Sequence, residues 1–430
     1  MKKKIMAAVL AASMVLGLSA CQEEDTTTEN ASVETQEEEA PLVYTDMGTT
    51  GYALLFKAGT DSFIVQDEDS TVYHVVDAEG QDVLEGTFDI FNVELDGDYY
   101  AVGSYDADTD TYNESLYDGD NNLVFTNTDY PGYYIGSYNE GILQLRRQYV
   151  SSYDTSGNAV TSYSTYYLDA ANGFTVVASI TEDYGSTIAF AYGFSNGYAP
   201  FIQRKLVTVN AQATLYGLID ASNTMHEITL SDGSLGHPRS ASISPSGWMV
   251  VQSVDKTTMQ YSGGYFYNVT TGVEVAWPEG YENWEAFYYE GYGTVFAVDN
   301  LVALTADTGD GNDNEYDIFD LSTGTIVCDG GYASISLATY DTGLMLVEKN
   351  SQYAFMNQDY EIVSSWYTAA ADMVDGFALV VDSGMVYVID SDYQMVTAVS
   401  AGEELEYIGD HYYRVKHDGL YYLLEVTPAE

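Results

Sequence analysis

The sequence predicts an all-β protein, a β-propeller of about eight antiparallel blades, with seven to nine compatible with the repeat. Three observations predict it. A two-part phrase recurs down the chain, its segments have strand composition, and no amphipathic helix is legible after Leu18. The first half of the phrase is a small or acidic residue and Gly opening an apolar strand, as in EGILQL from Glu140, NGYAPF from Asn196, SGWMVV from Ser246 and DGFALVV from Asp375. The second half is a Tyr-rich strand ending in an Asp turn, as in YYLDAANG from Tyr166, YGLIDASN from Tyr216, YDIFDLSTG from Tyr316 and VYVIDSD from Val386.

Each unit holds four strands. Around Asn196 they are Ile188 to Phe194, Tyr198 to Gln203, Leu215 to Asp220 and Met225 to Leu230. Four antiparallel strands every 33 to 56 residues fit a propeller blade, whose sheet is covered on both faces by its neighbours. Covered faces with wet strand ends also suit the 41 tyrosines, each an apolar ring with a polar tip. Eight complete units run from about Gly51 to Val399, and a ninth, Glu404 to Val426, has three strands. Leu42 to Asp46 is the candidate for its fourth, which would close the ring. An open solenoid of the same hairpins is the structural alternative.

Ahead of the repeat lie two short segments. Residues 1–20 begin with Lys2, Lys3 and Lys4, then an apolar run from Ile5 to Leu18 too short to span a bilayer, the pattern of a secretion signal. Residues 21–41 are polar and acidic, with no basic residue between Lys4 and Lys57, and are expected to form an extended tether. The repeat domain occupies residues 42–430.

Leu18, Ser19, Ala20 and Cys21 resemble the lipobox of bacterial lipoproteins. The resemblance implies cleavage before Cys21, lipidation of its thiol, and an extracytoplasmic protein held on the bacterial cell membrane by its lipid. Within the repeat, FSNGYAPF from Phe194 followed by YGLIDASN from Tyr216 is similar to the bacterial WG repeat, as is MVDGFALVV from Met373 followed by VYVIDSD from Val386. The Trp that names that repeat is absent, so these are degenerate copies. The resemblance implies a propeller-like repeat and no active site.

Composition narrows the partners. Lys plus Arg number 13 against 66 Asp plus Glu, a net charge of −53, and a field of that sign excludes nucleic acid as a partner. Cys328 is the one thiol after Cys21, so no intramolecular disulfide supports the mature fold. The five histidines have no metal-ligand spacing and no nucleophile motif is present, so the chain is read as a non-enzyme.

Unequal spacing of the repeat points to a functional face. The units open at positions 97, 141, 197, 247, 293, 343, 376 and 410, long at first and short later. The extra length lies between second and third strands, at 104–113, 149–164, 205–214, 255–264 and 305–315, and in up-and-down blades those connections emerge on one side. Arg146, Arg147, Arg204 and Lys205 lie on or just after second strands and are candidates for that face, though neutralisation of an acidic surface is the plainer account. Trp277 and Trp284, flanking Pro278 and Gly280, are the candidate surface aromatics.

Two acidic loops are candidates for calcium, one with Asp106, Asp108 and Asp110 followed by Asn113 and Glu114, the other with Asp307, Asp310 and Asp313. Neither has the EF-hand register, since the sixth position from Asp106 is Thr111 and the twelfth is Tyr117. Solvated turn residues are the commoner role of such clusters. No other cofactor is expected. The function expected is binding of an envelope or extracellular protein or glycan, with a carboxylate-based polysaccharide hydrolase or lyase, or a structural part of an envelope complex, as alternatives.

Overall fold

The computed structural model describes residues 42–46 and 51–428, apart from 94, 96, 98, 109, 154–156, 158, 182–185, 209–210, 240–242, 285–286, 290–292, 296, 307–314, 338–342, 375, 402–403 and 410. Cys21 and the rest of residues 1–41 lie outside it. The compact unit runs from Leu42 to Ala429. Its strands pair into antiparallel sheets in which chain neighbours are sheet neighbours, except that Leu42–Asp46 joins the last three strands and Tyr281–Trp284 pairs with Leu301–Ala306 across an intervening hairpin.

Among the described residues nine of these sheets form the repeat, one more than the usual upper size of a propeller. Tyr134–Asn139, Ile142–Tyr153, Ala159–Asp169 and Thr175–Ile180 make the third. The fourth is Ser186–Ala191, Tyr198–Thr208, Ala211–Asp220 and Met225–His226. Sequence reasoning had the four strands of that unit in place but ended the second early and began the third late. In the ninth sheet, Leu42–Asp46 pairs antiparallel with Leu420–Pro428, from Leu42 opposite Pro428 to Asp46 opposite Leu424, so the two ends of the repeat domain complete one blade as expected.

Packing closes the circuit. Ile64 and Val75 of the first sheet bury with Tyr100 and Val102 of the second. Leu116 of the second buries with Leu143 and Leu145 of the third. The sequence continues around the molecule until Val386 and Val388 of the eighth sheet meet Val415 and Leu424 of the ninth. Leu55 and Phe63 of the first sheet then pack on Tyr412 and Leu423 of the ninth. A solenoid would leave those last faces uncovered, so the open alternative is excluded. Because each sheet is covered on both faces, second strands are apolar in runs rather than alternating: Met249, Val250 and Val251 are all at most 3% exposed.

The two halves of the sequence phrase are two turns. Glu140 and Gly141, at φ 52° and 73°, and Asn196 and Gly197, at φ 53° and 76°, have the paired positive φ of tight hairpin turns between first and second strands. The Asp or Asn that ends the third strand accepts hydrogen bonds from backbone N–H groups of the turn that follows. Asp77 does so from Gln81, Asp118 from Asn122, Asp169 from Ala171 and Asp220 from Thr224. Asn268 does so from Thr271, Asp320 from Ser322, Asn357 from Glu361 and Asp390 from Gln394. Adjacent blades are also stitched at this side: the Glu140 carboxylate accepts from the Asn196 and Gly197 N–H groups, and the Asn196 amide donates to the Ser244 carbonyl.

Two expectations need correction. Gly293 does not open a second strand but sits in an added hairpin, Phe287–Tyr289 with Gly293–Val295; the second strand of that sheet is Leu301–Ala306, entered through Asp299 at φ 50°. The predicted insertions are also largely not loops. Ser104 to Asp106 pair with Asn113 to Thr111, and pairing continues from Ile142 opposite Asp169 out to Tyr153 opposite Ala159. Alternating β-branched and aromatic residues let these stretches continue the ladder past the core as projecting hairpins.

Candidate functional site

In an up-and-down blade the turn joining second to third strand emerges on the side opposite the two turns of the repeat phrase. On that side the sheets differ sharply. The seventh, eighth and ninth end in two-residue turns with paired positive φ: Asn350 and Ser351, Ser383 and Gly384, Asp418 and Gly419. The third and fourth instead extend strands of 10 to 12 residues. Apolar side chains are exposed along the longer hairpins: Tyr105 and Tyr112 on the second sheet, their rings 5.4 Å apart, Val150 on the third, and Met259 and Tyr261 on the fifth.

A cavity of about 360 Å³ lies between the second and third sheets. Phe91, Asn92, Tyr112, Glu114, Tyr134 and Arg146 are among its walls. Glu114 comes from the third strand of the second sheet, where it shares the inward alternation of Leu116 and is 6% exposed. Its Oε2 accepts from the Ile135 N–H at 2.5 Å, joining the two blades. Burial raises its pKa to about 7, outweighing that hydrogen bond, which lowers it. Room for the carboxylate is made by Gly103 directly opposite, where a Cβ would lie 2.7 Å from Glu114 Cγ.

Arg146 comes from the second strand of the third sheet, paired with Tyr134 on one side and Thr165 on the other. Its guanidinium lies 5.8 Å from the Tyr134 ring centroid and 5.2 Å from that of Tyr163. Among the described residues its buried Nε has no hydrogen-bond partner, and neither does Thr165 Oγ1 beside it. Gly136 plays the part of Gly103 here, since a Cβ on it would stand 2.7 Å from Arg146 Cδ and 2.6 Å from Gln144 Oε1. Tyr134 lies within electrostatic reach of both charged groups: burial raises its hydroxyl pKa most, Arg146 lowers it and Glu114 raises it.

Four other basic side chains on or just after the second strands are engaged. Lys256 pairs with Glu227, Lys416 with Glu404, and Arg414 with Glu406, while Lys349 donates to the Gly330 carbonyl. Arg147 is exposed and lies close enough to Tyr133 to lower its hydroxyl pKa against the larger rise from burial. Arg204 and Lys205 occupy second-strand positions opposite Thr214 and Ala213; their side chains lie outside the described residues.

The remaining candidates fall as follows. Trp277 is not a surface platform: it stacks on Phe266 at 4.9 Å, packs on the core of the fourth to sixth sheets and donates through Nε1 to the Tyr281 carbonyl. Trp284 ends a first strand opposite Leu304, with its side chain outside the described residues. Among the described residues the exposed tryptophan is Trp366, 38% accessible, which sequence reasoning passed over. In the first acidic loop, Asp106 accepts from the Asp108 N–H and Asp110 from the Tyr105 hydroxyl. Among the described residues no three His, Cys, Asp or Glu side chains are grouped to hold a metal. Asp307, Asp310 and Asp313 lie outside the described residues.

No protein-family model matches the chain, and no curated protein does. Among solved structures it is similar to the β-propeller domain of Swd1 from Myceliophteria thermophila, at 8% identity and TM-score 0.29, over 89% of this chain and 98% of that one. It is also similar to dipeptidyl peptidase 4 of Porphyromonas gingivalis, at 10% identity and TM-score 0.44, over 87% of this chain and 64% of that one. These overlaps are loose, and the propeller stands on the strand pairing and packing of this chain.

Proposed function

We propose that the chain is a binding protein of the bacterial cell surface, anchored through a lipid on Cys21 and presenting the long-hairpin side of its propeller to an extracellular protein or glycan. The observation that carries this reading is the asymmetry between sheets: exposed Tyr105, Tyr112, Val150, Met259 and Tyr261 crowd the long hairpins, while the seventh to ninth sheets end on that side in tight turns. A rigid disc bearing variable, aromatic-rich projections on one side is suited to recognition. Carboxylate-based glycoside hydrolysis calls for a pair of acids facing each other, and Glu114 is the one carboxylate among the cavity's lining residues. That composition favours binding over catalysis at this site.

The test is a panel of defined glycans and purified envelope proteins, read against the full-length protein and two variants. Replacing 148–163 by a two-residue turn is expected to abolish binding, and altering the Ser383–Gly384 turn to leave it unchanged. Binding that survives removal of the long hairpins would refute the assignment. Anchoring is checked separately by metabolic acyl labelling, which Cys21→Ser is expected to eliminate.

A further inference from the structure

We propose that the cavity between the second and third sheets binds a sugar acid, a single pyranose ring carrying a carboxylate, with Arg146 receiving the carboxylate. This deepens the reading of the hairpin side as a glycan-binding surface and rests on it. Three features of the walls select that chemistry.

The first is the cation. In a chain of net charge −53 the second-strand cations Lys256, Arg414 and Lys416 are each joined to a carboxylate, whereas Arg146 has no ion pair among the described residues and keeps a buried, unpartnered Nε. A guanidinium offers a planar fork of donors that matches a carboxylate, and Tyr134 and Tyr163 hold its plane. At typical ionic strength the repulsion of distant acids is screened beyond about 10 Å, so a local unpaired Arg decides which ligand charge is accepted.

The second is the alternation of ring faces and polar atoms. Phe91, Tyr112 and Tyr134 line it with aromatic rings, and Glu114 provides a hydrogen-bonding group among them, while the Asn92 amide is directed at the Ile135 and Gly136 carbonyls. A pyranose has the complementary pattern, apolar C–H faces edged by hydroxyls. A protonated Glu114 donates to such a hydroxyl without repelling the ligand's own charge. The third is size: about 360 Å³ lies at the small end of ligand cavities, room for a single ring rather than a long chain. Tyr112, 42% exposed, places the cavity on the hairpin side, so a terminal sugar of a longer glycan can enter while the remainder crosses the hairpins.

The experiment is titration calorimetry of the purified full-length protein with D-galacturonate and D-glucuronate, against D-galactose, D-glucose and acetate. At least one uronate is expected to bind, with its neutral counterpart and acetate each at least tenfold weaker. Arg146→Ala is expected to weaken uronate binding at least tenfold, and Arg146→Lys to recover part of it. Should Arg146→Ala fail to fold, Gly136→Ala, whose methyl group displaces Arg146, is expected to show the same loss. Equal binding of galacturonate and galactose, no uronate binding to the folded protein, or uronate binding indifferent to Arg146 would each overturn the proposal. If glycan polymers bind through the hairpins and uronates do not bind at all, this proposal fails alone. If uronates bind through Arg146 and polymer binding ignores the hairpins, the reading of the hairpin side fails alone.

Discussion

Glu114→Gln tests the electrostatics of the cavity through stability alone. The substitution keeps the shape and an acceptor for the Ile135 N–H, and it removes a titrating charge from a site 6% exposed. Burial raises the folded-state pKa from the usual 4.5 to about 7. The fold therefore favours the protonated form. Its stabilising contribution is complete below pH 4.5 and is lost as pH rises through about 7. The gap between those two values is worth on the order of 3 kcal/mol. Glutamine, which does not titrate, escapes that loss. With an unfolding entropy of about 2.1 cal/mol/K per residue over a unit of roughly 390 residues, 3 kcal/mol corresponds to about 4 °C in Tm. Differential scanning calorimetry from pH 4.5 to 9 is the assay. The Tm of the variant minus that of wild type is expected to climb by about 4 °C across the range, whatever constant offset the amide adds. A difference that stays flat, or falls as pH rises, would show that Glu114 does not titrate in a desolvated site.

The other predictions concern the frame. Deleting residues 42–46 uncovers the edge of Leu420–Pro428 and is expected to lower Tm and promote self-association, read by calorimetry and size-exclusion chromatography; an unchanged monomer would refute closure by that strand. Gly197→Ala places a methyl group in open space at φ 76° and is expected to cost about 1 kcal/mol of unfolding free energy, whereas Gly217→Ala, whose Cβ would stand 2.2 Å from the His226 carbonyl oxygen, is expected to cost distinctly more; denaturant titration ranks them. Trp277→Ala is expected to destabilise by about 3 kcal/mol while leaving glycan binding unchanged, and the opposite pattern would return this residue to the binding surface.

Much of the frame was legible because its turns demand particular residues. Asn196 and Gly197 carry the two positive φ values that few other pairs tolerate, and Asp220 or Asn357 at a third-strand end captures backbone N–H groups that would otherwise go unpaired. Those needs write themselves into the sequence at a fixed offset, so they betray strand order and even the closing role of Leu42–Asp46. The sixth sheet was counted from the wrong residue because its turn uses Asp299 and Asn300 in place of the usual Gly, while Gly293 lay nearby in an unrelated hairpin. Hairpin extensions were harder still. A ladder that outruns the core loses its burial signal, so Arg204 to Thr208 read as loop although pairing with Thr214 to Ala211 continues.

The site was half legible for a related reason. Arg146 could be singled out because cations are scarce in this chain, but nothing in its neighbourhood of sequence distinguishes it from Lys416, whose partner Glu404 is supplied across the ladder. Glu114 did carry a signal: in TYNESLY it shares alternation parity with Leu116, which places it on the covered face of a strand. Reading it instead as the tail of an acidic loop followed from assigning 104–113 to a loop at all. Once that segment is paired strand, parity turns Glu114 inward and leaves Asp110 at the turn, where it accepts from Tyr105. Parity gives a burial direction only, however; what makes Glu114 unusual is Gly103 opposite it and the third sheet behind it, and that juxtaposition exists only after two blades have packed.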